Sequence, residues 1–282
     1  MDPVFRYSAD RLPVTLILSL TLLDFIMYFT VNNVWVLLSY FVLTLIPKGC
    51  ICAWNHHHQH TKTFNWTPLN RLLEMSFSLH TGVTTNQWLL HHVFGHHHNY
   101  LDQEKDESRW QRNDGSTMGE LEYTIKVAAT AYPRAWGVGK RYPRHLRTHL
   151  IYTALTLILA VALVVYQPLQ GFILFIMPML AGLLITAWAT YDHHAGLPTE
   201  DDFTSSYNVM NKAYNVMTGN LGYHTAHHYK QGVHWSELPK LHDEIKHLIP
   251  EELYRRSYWD YVTDVPMNFI RTLVALVVPR PQ

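Results

Sequence analysis

Fourteen of the 20 histidines in this 282-residue chain fall in four clusters. They are His56-His57-His58-Gln59-His60, then His91-His92-Val93-Phe94-Gly95-His96-His97-His98, then His193-His194, and last His224-Thr225-Ala226-His227-His228. His56 and His60 are four apart, as are His92 and His96, and His224 and His228. On a helix each such pair shares a face and can grip one metal ion. The neighbouring His97 or His227 points about 100° away or a turn back and can reach a second metal. Three such helices plus one further histidine can enclose two metals in imidazole, a ligand that suits Zn, Cu, Fe and Ni.

Other chemistries fit less well. A zinc peptidase of the H-E-x-x-H type needs glutamate after the first histidine, where this chain has His57, Val93 or Thr225. The only cysteines, Cys50 and Cys52, cannot build a disulfide framework, a four-thiolate zinc site or an Fe–S cluster. The 22 basic residues balance 22 acidic ones, which argues against a nucleic-acid partner. A histidine tract by itself can be a loose metal-binding tag, and lone histidines are ordinary surface or core residues. The latter reading applies to His80, His145, His149 and His247. Within the clusters, His57, His58, His91, His98 and His193 are expected to pack or to support the ligands.

The elements that must position these clusters are hydrophobic helices. Charged residues make up only 16% of the chain, against about 25% in a soluble domain. A mean hydropathy of −0.08 hides an uneven distribution. From Leu12 to Pro47 the only charged side chain is Asp24, and from Leu150 to Tyr191 there is none. A membrane-spanning helix needs about 20 apolar residues, so each stretch predicts a hairpin of two. The predicted spans are 12–30, 34–54, 150–166 and 169–191, with breaks at Asn32-Asn33 and Gln167-Pro168. The fold expected is all-α and integral to the membrane: two transmembrane hairpins, about four spanning helices, with a cytosolic, histidine-rich helical cap. The hairpin turns carry no Lys or Arg, so the positive-inside rule puts residues 55–149 and 192–282, and both termini, in the cytoplasm. No removable signal peptide is expected.

Between the hairpins, Asn70 to His98 predicts a helix on or in the membrane interface. Residues 111–119 and 198–206 predict loops, and Val265 to Val278 predicts an interfacial helix. Asp24 is costly in lipid and is expected to have a structural partner.

The three boxes HxxxH (His56, His60), HxxxHH (His92, His96, His97) and HxxHH (His224, His227, His228) resemble those of the membrane fatty acid desaturase and hydroxylase superfamily. The resemblance covers Leu12 to about His242. Residues 222–242, GYHTAHHYKQGVHWSELPKLH, are similar to acyl-lipid desaturases. HHVFGHHHNYLDQEKDESRW is instead similar to the membrane alkane hydroxylases, with a Gly before the paired histidines and an acidic Asp-x-Ser-Arg stretch after them. Tyr191 to Leu197 also resembles their lone histidine followed by x-Gly-Leu, which assigns His194 as the extra ligand with His193 as the fallback.

The resemblance implies one membrane domain holding two non-haem irons, ligated by His56, His60, His92, His96, His97, His194, His224, His227 and His228. It implies O2 as co-substrate and attack on an unactivated C–H bond of a long fatty acid or other acyl or alkyl chain. Electrons would come from a separate ferredoxin, rubredoxin or cytochrome-type donor, since no thiolate or haem-attachment motif for a fused donor is present. Desaturation ranks first, followed by hydroxylation and by oxidative decarboxylation to a 1-alkene. Asp106, Asp192 and Asn220 are candidates for holding ligand imidazoles by their other nitrogen, with Asp102, Glu104 and Glu107 close behind box two. Two other classes compete: a metal transporter, which would carry ionisable side chains along its spans, and a membrane zinc hydrolase, which would contain zinc and consume no O2.

Overall fold

The computed structural model describes residues 3–258 and residue 260. The predicted interfacial helix at 265–278 lies outside the described residues. α1 (Arg11–Thr30) and α2 (Val34–His60) form the first hairpin. Asn33 caps α2, its side chain accepting from the amides of Trp35 at 2.9 Å and Val36 at 3.3 Å, as N-cap residues do. α3 (Thr67–Thr81) lies beside them, and a π-helical segment follows at Leu89–His97. After a loop comes α4 (Glu120–Gly139). The second hairpin is α5 (Pro143–Tyr166) followed by α6 (Pro168–Gly171), a π-helical stretch at Phe172–Ile176 and α7 (Met177–His194), these last three running on as one rod. Three short α-helices follow among the described residues: α8 (Lys212–Thr218), α9 (His224–Tyr229) and α10 (Leu238–Ile245).

Among the described residues, four helices are long and apolar enough to cross a membrane, at 23 to 27 residues each. At 1.5 Å per residue that is about 35–40 Å, more than the hydrocarbon core needs. Large apolar side chains cover their outer faces, among them Leu22, Phe29, Leu43, Ile158 and Val165. Lipid, not protein, is the solvent such a surface fits. The far ends of the two hairpins touch: Tyr28 donates to the Leu163 carbonyl at 2.7 Å, and Gln170 to the Asn32 side chain at 2.9 Å.

Several boundaries differ from the sequence expectation. α2 does not stop at Trp54 but continues through box one to His60, because nothing between them breaks a helix. α5 starts seven residues before Leu150, where Pro143 occupies a first-turn position that suits its fixed φ. The single helix expected over Asn70–His98 is split. Gly82 ends α3 in the left-handed conformation at φ 65° and Asn86 has φ 60°, so the chain turns before the π-helical segment begins. The close approach of α7 to this break also requires a glycine. A Cβ on Gly182 would stand 2.5 Å from the Thr81 Cα.

Asp24 has a structural partner. Its carboxylate accepts from Lys48 at 2.8 Å and from the Tyr40 hydroxyl at 2.6 Å, and all three lie between α1 and α2. Lys48 stands just past the charge-poor stretch, so hydropathy alone does not reveal the pair.

Candidate metal centre

Four elements bring the histidine clusters together: the last turn of α2, the π-helical segment, the end of α7 and α9. Ring nitrogens of His56, His60, His92, His97 and His227 lie within 4.8 Å of one another, and those of His96, His194 and His228 form a second such group. His224 joins the second group through His194, with Nε2 atoms 3.0 Å apart. All nine except the half-buried His60 are buried.

The division of box two differs from the i, i+4 expectation. His92 shares a group with His97, not with His96. The cause is the π-helical backbone, which repeats at i, i+5 and so stacks His92 above His97 while turning His96 to the other group. α9 keeps the α spacing, with His224 and His228 on one side and His227 on the other.

The nitrogens converge closely. His56 Nε2 lies 3.0 Å from Nε2 of both His60 and His92, and His97 Nε2 lies 3.0 Å from that of His227. Burial first, then the neighbouring imidazoles, hold His92, His97, His224, His227 and His228 well below the usual histidine range. Those rings are neutral and offer lone pairs. Neither nitrogen of the buried His228 has a hydrogen-bond partner, nor do Nδ1 of His92, His97 and His224. Neutral imidazoles packed nitrogen to nitrogen, with no carboxylate in either group, are a donor set that fits cations of the imidazole-preferring metals.

Outer hydrogen bonds aim two of the rings. His96 Nδ1 meets both Asp106 oxygens, at 2.9 and 3.0 Å, which turns Nε2 inward. The loop bearing Asp106 passes close to Gly95, where Glu107 packs against the bare backbone. A Cβ there would stand 2.6 Å from Glu107 Cγ. His194 Nδ1 donates to the Ser205 carbonyl at 2.9 Å. His193 has both nitrogens engaged, by the Tyr207 carbonyl at 3.2 Å and the Tyr214 hydroxyl at 3.0 Å, so the structure presents His194 rather than His193 to the group.

The remaining candidates stand elsewhere. Asp192 pairs with Arg255. Asn220 donates to the Trp235 carbonyl at 3.1 Å; neither touches a ligand ring. Asp102 pairs with Lys105. His57 bolts α2 to the Thr218 carbonyl at 3.0 Å. His58 sits between Thr63 and Glu74, at 2.9 and 3.1 Å, and His98 is exposed. Tyr100, which the motifs do not single out, lays its ring 4.3 Å from that of His228 while its hydroxyl bonds Asp202.

A cavity of about 280 Å³ runs between α2 and α7. Its wall is mostly apolar, with Leu45, Ile46, Gly49 and Ile185 at the membrane side and His56, His92 and His224 at the other. It therefore opens onto histidines belonging to both groups.

Residues 32–261 match the family model described as fatty acid desaturase. Among curated proteins no sequence matches the chain.

Proposed function

The chain belongs to the fatty acid desaturase family, and we propose that it oxidises an unactivated C–H bond of a long fatty acyl chain, using O2 and electrons from a separate donor, with desaturation as the reaction. Membership makes it a membrane oxidoreductase of fatty acyl chains. The finer reading is supported by one observation above the rest: the apolar cavity ends on His56, His92 and His224. A saturated chain offers no polar handle, so the carbon attacked must be chosen by position. A narrow apolar slot that stops at two groups of metal-binding side chains makes that choice.

We assign two iron ions to the site. His56, His60, His92, His97 and His227 would hold one, and His96, His194, His224 and His228 the other. Iron bound there would supply O2 activation. The protein contributes the rest. Asp106 and the Ser205 carbonyl fix the direction of His96 and His194, a role that outer hydrogen bonds commonly have around metals. Burial of the rings keeps water from competing for the reacting carbon. The apolar lining of the cavity orients the chain.

The electron donor would be a ferredoxin, rubredoxin or cytochrome-type protein, and the histidine end of the bundle would face the cytoplasm. The charge pattern supports that orientation, since the hairpin turns at the opposite end carry no Lys or Arg. Product analysis tests the reading. Membrane-embedded protein supplied with a reductant system, O2 and acyl chains should yield an alkene by mass spectrometry. An alcohol or a one-carbon-shorter terminal alkene would replace desaturation by hydroxylation or decarboxylation. Bound zinc with no O2 consumption would overturn the oxidase reading.

A further inference from the structure

Behind box two lies a second, much smaller cavity of about 30 Å³, half-open, lined by the turn that leads into the π-helical segment, by α4 and by α7. Its wall is apolar on the α4 side, where Val127, Ala128 and Ala131 contribute. On the other side stand Gln87, Trp88 and His91, all buried. Each of the three carries a buried polar atom with no hydrogen-bond partner: Gln87 Oε1, Trp88 Nε1 and His91 Nε2. Gln87 and Trp88 are adjacent and His91 stands one turn later, and Thr186 Oγ1 on α7 adds a fourth such atom to the lining; buried polar groups are almost always satisfied.

The sizes agree. A space of roughly 10–15 Å³ by this measure holds a water, provided two to four polar partners surround it. The cavity has the room and the partners, and they are complementary: the indole N–H can only donate, the Gln87 carbonyl oxygen can only accept, and the imidazole nitrogen can do either according to its tautomer. A water, which both donates and accepts, can answer each of the three.

We propose that this chamber is a resident-water site, built by Gln87, Trp88 and His91, that completes the hydrogen bonding of the wall behind the histidine groups. Trp88 is the shared piece of that wall. Its ring stands edge-on to His92 at 4.4 Å and 5.3 Å from His56, and it lines the large apolar cavity as well as the small chamber. The inference does not depend on which reaction the histidines support.

Two measurements decide it, neither of them activity. The first is a high-resolution density map of the purified protein. It should show a water peak within hydrogen-bonding distance of at least two of the three atoms; an empty chamber overturns the proposal. The second is the thermal midpoint of Gln87→Met, a change of similar size that removes the acceptor. With a water in place, the substitution strips that water of a partner, and the midpoint should fall by roughly 2–4 °C. With a dry chamber, it removes an unsatisfied buried oxygen, and the midpoint should rise. If Gln87→Met does not fold, the density map alone decides.

Discussion

Asp106 holds His96 through both carboxylate oxygens, at 2.9 and 3.0 Å from the ring Nδ1, and the Ser108 amide donates to the same carboxylate at 2.7 Å. The aspartate is thus fixed before it fixes the histidine. Asp106→Ala should lower metal affinity or activity about 10–100-fold, the range found for such outer partners. Metal content after dialysis against a chelator is the direct measurement. Full retention of metal in Asp106→Ala would remove the carboxylate from any role in ligand geometry.

The π-helical backbone of Leu89–His97 makes a prediction that an α-helix would reverse. His92 and His97 act together and His96 acts with His194 and His228. His97→Ala should therefore leave the group containing His96 intact, while His96→Ala should weaken that group and spare the five-histidine group. Combining His97→Ala with His60→Ala strikes one group only, so those two losses of metal should be far from additive, whereas His97→Ala combined with His194→Ala strikes both groups and its losses should add. Metal per chain, measured for the singles and doubles, checks this. Coupling between His92 and His96 in place of His92 and His97 would contradict the backbone seen here.

How much of this was legible in the sequence depends on where each signal is written. The four long apolar helices follow from composition alone, and the histidine clusters from residue type and spacing. Asp106 was legible as a carboxylate close behind box two, but so were Asp102 and Glu107; the path of the folded loop, which places Asp106 against His96 and Asp102 against Lys105, decides which one reaches a ring. Asp192 and Asn220 were equally plausible and are taken by Arg255 and the Trp235 carbonyl. The Ser205 and Thr218 carbonyls, which hold His194 and His57, have no sequence signature because every residue carries one. The regrouping of His92 with His97 was invisible for a related reason: histidines lie at both i+4 and i+5 from His92, and the backbone hydrogen-bond pattern chooses between them.

The pair between Asp24 and Lys48 is sealed between α1 and α2, with 3% or less of either side chain exposed. Removing one partner leaves the other charge buried and unpaired. Asp24→Asn or Lys48→Met alone should cost about 3–5 kcal/mol, while the double change to apolar residues of similar volume should recover much of that loss. Thermal or denaturant unfolding in detergent measures the cycle. A double variant that costs the sum of the two singles would mean that the two charges do not depend on each other.

Gly49 sits in the wall of the large cavity, and a Cβ there would meet the Ile185 side chain at 3.2 Å. A leucine at this position must occupy the slot. Gly49→Leu should shift the products toward shorter acyl chains, or move the attacked carbon, with metal content unchanged. Gas chromatography of products from a mixture of chain lengths reads both. An unchanged chain-length profile at full activity would show that the acyl chain does not run past Gly49.

Acid should unfold the metal-free protein earlier than its carboxylates alone would allow. His92, His97, His224, His227 and His228 are held well below 6.5, by burial first and by one another second. As pH falls through 6.5, the unfolded chain takes up protons that the folded site refuses. Their contribution is therefore fully present above 6.5 and is lost progressively below it. Glu74 acts lower on the scale. Burial would raise its carboxyl, but His58, Lys62 and Arg71 outweigh that and hold it far below its ordinary 4.5, so its contribution fades only beneath that value. The thermal midpoint of the metal-free protein should then be flat from about pH 8 to 7 and begin to fall near 6.5, well before carboxylates titrate. Bound metal should raise the midpoint at neutral pH and lose that advantage in the same interval, because only neutral imidazole is a ligand. A midpoint that holds constant down to about pH 5 would show that the histidines are not kept neutral by the fold.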